Sequence, residues 1–224
     1  MKTKLITLVI ALLGLSINVA SAEAPAVNGN VGAKYASDYH RRGAALSEEA
    51  IQAQVGFNIG VGSVDLFGDI FINQNSESSG SDTDETTFGL SKSLMDDTFN
   101  AYIGVYNTDV GVGDSNLEAF ASVQANVVLS PTVSIYRDTD DSLYTYEGQL
   151  SYDLDLLEVV GLELAGILGN TDVSSTTDRS YFGAKLTATK TVRDDVNIYA
   201  DVSLSDSDDL DTETIWGIGL NVKF

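Results

Sequence analysis

Apolar and polar residues alternate one by one along most of this chain. From Ile51 to Gly60 the apolar set is Ile51, Ala53, Val55, Phe57 and Ile59, with Gln52, Gln54, Gly56, Asn58 and Gly60 between them. A period of two puts the sets on opposite faces of a strand, whereas on a helix both would scatter around the cylinder. The same rhythm runs through Leu117 to Val127, Val196 to Leu204 and Trp216 to Phe224. With turn residues as punctuation, it predicts about twelve strands, over 31–40, 50–60, 63–73, 84–92, 97–107, 115–128, 132–138, 142–153, 159–169, 179–190, 195–205 and 213–224.

The connections between these strands divide into two classes. Those at 41–49, 74–83, 108–114, 170–178 and 206–212 are mostly long and polar, and those at 61–62, 93–96, 129–131 and 191–194 are tighter. Long loops at one end and short turns at the other are the arrangement of outer-membrane barrels. The predicted fold is therefore all-β, a closed antiparallel transmembrane β-barrel with long outer loops and short periplasmic turns. An even strand count puts both termini at the periplasmic end.

Alternation by itself is shared with a soluble β-sandwich, which buries its apolar faces against each other. Three features favour lipid. The polar face is mild, with Gly56, Gly104, Gly148, Gly183, Gly217 and Gly219 among Ser, Thr, Asn and Gln. The apolar face keeps charge out, and Asp and Glu crowd the connections instead. Aromatic residues, among them Tyr35, Tyr106, Tyr152 and Trp216, gather near strand ends, where an amphipathic ring suits the headgroup level. Closure would also pair every backbone N–H and C=O within hydrocarbon.

The first segment is an address. Lys2 and Lys4 precede an apolar run from Leu5 to Leu15, and Ala20-Ser21-Ala22 supplies small residues for cleavage before Glu23. A secretory signal over 1–22 and a single barrel domain over 23–224 are expected. No later stretch has the roughly 18 consecutive apolar residues of a transmembrane helix.

Composition narrows the chemistry. The 224 residues include no cysteine and one histidine, which excludes disulfides, thiolate metal sites, thiol nucleophiles and multi-histidine centres. A formal net charge of −21 repels phosphate backbones, so nucleic acid is not an expected partner. A hydrophobic content of 43% argues against disorder despite that charge.

Ser37-Asp38-Tyr39-His40-Arg41-Arg42-Gly43 is similar to the Ser-Asp-Tyr-x-aromatic-Arg-Gly element near the mature start of the TorF-like porin family. Arg41 stands where that family usually has an aromatic residue, and the Gly-Phe-Tyr and Trp-Ser-Asn elements that often follow are absent. The alternating last strand ending on Phe224 resembles the terminal signature that the outer-membrane assembly machinery reads. The resemblance implies a barrel in the outer membrane of a Gram-negative bacterium, with outer-membrane lipid and that machinery as partners.

Projecting the alternation inward gives a predicted lumen containing Gln52, Gln54, Asn58, Asn100, Tyr102, Gln124, Gln149, Asn197 and Tyr199. Its ionisable members are Asp38, Asp65, Asp69, Glu118, Glu147, Glu163 and Asp201 against Lys34 and Lys185. Carboxylate rings favour cations, so the expected activity is a passive, weakly cation-preferring pore for ions or small solutes. The alternatives are a non-conducting structural or adhesion barrel working through its outer loops, and a soluble periplasmic β-sandwich that binds a ligand.

No enzyme activity and no cofactor are expected. His40 reads as a solvated rim residue beside Asp38, and no Gly-x-Ser-x-Gly nucleophile motif accompanies it. Arg41 and Arg42 are expected to meet lipid phosphate or a loop carboxylate. The acidic runs at 81–85 and 206–211 lack EF-hand glycine spacing and read as solvated loops.

Overall fold

The computed structural model describes residues 27–76, 80–111, 114–154 and 159–224. The expected signal segment lies outside them. Twelve strands follow in order: β1 (Val27–Arg41), β2 (Ala44–Val61), β3 (Val64–Asn75), β4 (Thr83–Leu94), β5 (Phe99–Val110), β6 (Asp114–Ala125), β7 (Thr132–Asp138), β8 (Tyr144–Leu154), β9 (Gly161–Ser174), β10 (Thr177–Arg193), β11 (Val196–Ser207) and β12 (Leu210–Lys223). Each pairs antiparallel with its chain neighbours, and β1 pairs with β12 to close the cylinder. The closing ladder runs from Asn30↔Lys223 to Ala36↔Gly217. Gly29 and Phe224 extend it by exchanging backbone hydrogen bonds of 2.8 and 2.9 Å.

Burial is inverted relative to a protein folded in water. The buried set is dominated by polar side chains, among them Gln52, Asn73, Thr83, Thr108, Glu118, Glu147 and Asp201. Ile51, Phe88, Ile103, Leu168, Phe182, Trp216 and Ile218 are exposed on the outer wall. This is the expected alternation with the apolar set outside. A sandwich would turn those side chains toward one another, and the closed strand order leaves no second sheet for them to meet.

The connections differ from expectation. Those at the end expected to carry long outer loops span 42–43, 76–82, 111–113, 139–143, 175–176 and 208–209. Those at the opposite end, where Val27 and Phe224 lie, span 62–63, 95–98, 126–131, 155–160 and 194–195. Lengths do not sort by end, because strand pairing continues through most of the polar stretches. Above the last large apolar outward residues, Val105, Leu168, Leu204 and Trp216, the same faces carry Asn107, Asn170, Asp206 and Thr214. These join across strands: Ser115 donates to Asn107 at 3.1 Å and Asn170 to Asp178 at 2.9 Å. Past the apolar belt both faces of a strand are wet, so the hydropathic alternation fades while the ladder goes on.

One hairpin leaves the wall. The β1–β12 ladder stops at Ala36↔Gly217 and the β2–β3 ladder at Ala50↔Asn75, yet β1 and β2 stay paired to Arg41↔Ala44. Residues 37–49 therefore pair in register only with each other. The turn is two residues, with φ of 49° at Arg42 and 72° at Gly43, the mirror-image conformation whose twist matches a tight hairpin. A register shift between Tyr39 and His40 marks a bulge, which bends the ribbon.

Candidate functional site: a hairpin across the lumen

The tip of this hairpin reaches strands that are not its neighbours in the wall. Gly43 packs beneath β10 and β11: a Cβ there would lie 2.6 Å from the Cβ of Ser207 and 2.9 Å from that of Tyr181. Glycine is required both by this approach and by the positive φ. The Ser207 hydroxyl donates to the Gly43 carbonyl at 2.9 Å.

The two arginines reach in the other direction, toward β4 to β8. Arg42 Nη1 donates to Glu118 Oε1 at 2.6 Å, and its Nε lies 3.9 Å from Glu147 Oε1. Its guanidinium also sits 4.4 Å from the Tyr136 ring centroid. Arg41 Nε donates to the Tyr106 hydroxyl at 3.1 Å and lies 3.5 Å from Glu85, while its Nη2 is 3.6 Å from Glu118 Oε2. Tyr39 donates to Glu85 and packs its ring on Phe71 at 5.3 Å. Tyr181 donates to Glu147 at 2.6 Å.

The arrangement is a cage in which carboxylates neutralise the guanidiniums while tyrosine faces cover them. Arginine suits it, because a planar fork can both stack and donate. The Glu118 side chain is only 6% exposed, so these partners and not water surround it. Glycines opposite the rings make room: Tyr181 lies over its register partner Gly169, where a Cβ would fall 2.3 Å from the Tyr181 Cζ.

The hairpin divides the lumen. On the side of the chain termini lie a cavity of about 500 Å³ and one of about 220 Å³, which share Lys185. On the other side a cavity of about 350 Å³ is lined by Arg41, Arg42, Glu118, Asp138, Asp172 and Arg179. It shares no lining residue with the first two.

The predicted lumen residues fall into separate groups. Lys34 pairs with Asp201 at 2.8 Å on the 220 Å³ cavity. Glu163 and Lys185 line the 500 Å³ cavity. Asp69 accepts from Gln54 at 2.9 Å, and Asp65 stands opposite Gly60 in register near the turn at 62–63. Glu118 and Glu147 meet at the arginine cage. Asp38 lies apart from these, beside His40 and Glu213.

Sequence reasoning missed Arg41, Arg42, Glu85, Tyr106, Tyr136 and Tyr181 as one site. It read 41–49 as an outer loop, which places the arginines outside the barrel. The available signal was Arg42-Gly43, an X-Gly pair able to form a two-residue turn between alternating segments. His40 is also reassigned. It is no solvated rim residue, since its side chain is 4% exposed.

The fold is shared with solved outer-membrane barrels. The KdgM porin superposes with a TM-score of 0.57 at 12% identity, covering 87% of this chain and 99% of that one. An outer-membrane channel from Pseudomonas putida F1 gives 0.52 at 11% identity, covering 93% and 100%. Outer-membrane phospholipase A from Escherichia coli gives 0.53 at 14% identity, covering 95% and 96%. The sequence matches no family model and no curated protein. Because the similar structures include a porin, a channel and a phospholipase, the shared barrel speaks for architecture and not for activity.

Proposed function

We propose that this protein is a passive, weakly cation-preferring pore for ions or small solutes in the outer membrane of a Gram-negative bacterium, narrowed by its own β1–β2 hairpin. The observation that carries the reading is the inverted burial. A polar lumen with cavities of about 500 and 350 Å³ on either side of the hairpin runs inside a wall whose exposed face is apolar. Such a cylinder is stable where hydrocarbon surrounds it and water fills it. Export would use the signal over 1–22, and Phe224 would be read by the assembly machinery. The Ser37–Gly43 element that resembles the TorF-like porins is the hairpin strand and turn, so that likeness supports the same reading.

Selectivity is expected to be weak. The cavities are lined by Lys34, Lys185, Arg41, Arg42 and Arg179 against Glu163, Asp201, Glu118, Asp138, Asp141 and Asp172. The three arginines are matched by Asp138, Asp141 and Asp172, so the negative excess that alternation suggests persists, but its members Glu118 and Asp201 are paired, with Arg42 and Lys34. No covalent chemistry and no cofactor belong to this reading.

The crossing hairpin favours one alternative, a barrel that does not conduct. Planar-bilayer recording on the refolded chain decides between them. A pore gives discrete conductance steps and, across a potassium chloride gradient, a reversal potential of cationic sign. A reversal potential of anionic sign overturns the cation preference. A silent barrel that stays silent after residues 38–48 are deleted overturns the pore.

A further inference from the structure

We propose that Asp38, His40 and Glu213 form a binding site for a single transition-metal dication of the Zn²⁺ class. The site lies apart from the arginine cage, and its occupancy is read without reference to conduction.

His40 is the chain's sole histidine. The bulge beside it turns its ring toward β11 and β12, where Nδ1 lies 3.3 Å from Ser205 Oγ and Nε2 3.0 Å from Glu213 Oε2. Asp38 adds a second carboxylate from two residues earlier on the same strand. One donor atom from each of the three residues falls within 4.8 Å of the other two.

An imidazole nitrogen with two carboxylate oxygens is a donor set for Zn²⁺ with a position left for water, whereas Ca²⁺ and Mg²⁺ ask for six or more oxygens. Tetrahedral bonds of about 2.0–2.2 Å put donor atoms roughly 3.3–3.6 Å apart, within reach of side-chain rotation here. The partner of Nδ1 bears on the tautomer. When that nitrogen donates to Ser205, as a metal-ligating histidine commonly donates its second N–H, Nε2 presents a lone pair. A lone pair and a carboxylate oxygen 3.0 Å apart repel until a proton or a metal sits between them.

The ion has a way in. His40 and Ser205 line the 500 Å³ cavity, and the Glu213 side chain is 48% exposed. The net charge of −21 raises the local concentration of cations. Position gives the site a consequence. Two ligands stand on the hairpin strand, and the third stands on β12 beyond Ala36↔Gly217, where the backbone ladder between β1 and β12 has ended. A bound ion would staple the hairpin to the wall at that gap.

The test uses the full mature chain folded in detergent micelles, titrated with Zn²⁺ by calorimetry and with Co²⁺ by visible absorption. One saturable equivalent and a Co²⁺ d–d band are expected, with Zn²⁺ undisplaced by a hundredfold excess of Ca²⁺. His40→Asn should weaken binding at least about 100-fold. Glu213→Gln, which leaves the hairpin's own sequence unchanged, should weaken it at least about 10-fold while keeping the heat-shifted gel mobility of a folded barrel. Absence of a saturable wild-type signal would mean that His40 and Glu213 form a protonated ion pair only, and would overturn the site. So would stoichiometric binding unchanged in both variants, which would place the ion on the acidic rim.

Discussion

Replacing Arg42 by alanine should open the barrel. In the seated hairpin Arg42 donates to Glu118 at 2.6 Å and covers Tyr136 at 4.4 Å. Alanine leaves Glu118, 6% exposed, with only Arg41 Nη2 at 3.6 Å from Oε2. Removing one partner of a buried ion pair costs about 3–5 kcal/mol, and the lower figure applies because Arg41 remains. Loss of the stacked cation adds about 1 kcal/mol. The penalty falls on the seated state, since water reaches Glu118 and Glu147 once the hairpin swings away. A shift of about 3–4 kcal/mol multiplies the ratio of open to seated hairpins roughly 150- to 700-fold. Single-channel recording reads this as a rise in open fraction. Arg42→Lys should fall between alanine and wild type, because an ammonium keeps the charge and loses the fork. Equal open fractions for wild type and Arg42→Ala, both folded, would refute the role of the cage in seating the hairpin.

Other consequences follow from the same geometry. Gly169→Val puts side-chain atoms where the Tyr181 ring lies 2.3 Å from an ideal Cβ and pulls its hydroxyl from Glu147, so urea unfolding in lipid should show a loss of about 1–3 kcal/mol. Ile103→Arg, on a residue 58% exposed to the outer wall, should cost about 2–4 kcal/mol if it lies near the bilayer midplane and reduce the refolded fraction on cold gels. Asp201→Asn frees the Lys34 ammonium, now paired at 2.8 Å, and should move the reversal potential toward anions, while Lys34→Met should move it the other way.

The strands were legible because a one-sided solvent imprints a period of two. All twelve predicted spans overlap observed strands, and the ends diverge where that imprint fades. At Asp178 and Asp206 both faces are wet, so paired backbone reads as loop. The hairpin was hidden for a related reason. Polar residues lining a lumen and polar residues in an outer loop have the same composition, and only the three-dimensional path of residues 37–49 distinguishes them. Lys34 and Asp201 were both assigned to the lumen by alternation, but their pairing depends on strand closure, which joins residues 167 positions apart. Glu118 and Glu147 were assigned there too, while their counter-charges lay in a segment read as outside.

Contact between hydrocarbon and the apolar wall is reported directly by Trp216. It is the sole tryptophan, 50% exposed on the outer face of β12, beside Tyr35 at 5.6 Å and just below the polar Thr214. The measurement is its fluorescence in bilayers of lipids brominated at defined acyl positions, set against quenching by aqueous acrylamide. Strong quenching by bromines near the headgroup end of the chains, and little by acrylamide, is expected of a lipid-facing Trp216. Strong acrylamide quenching with no effect of brominated lipid would contradict that contact.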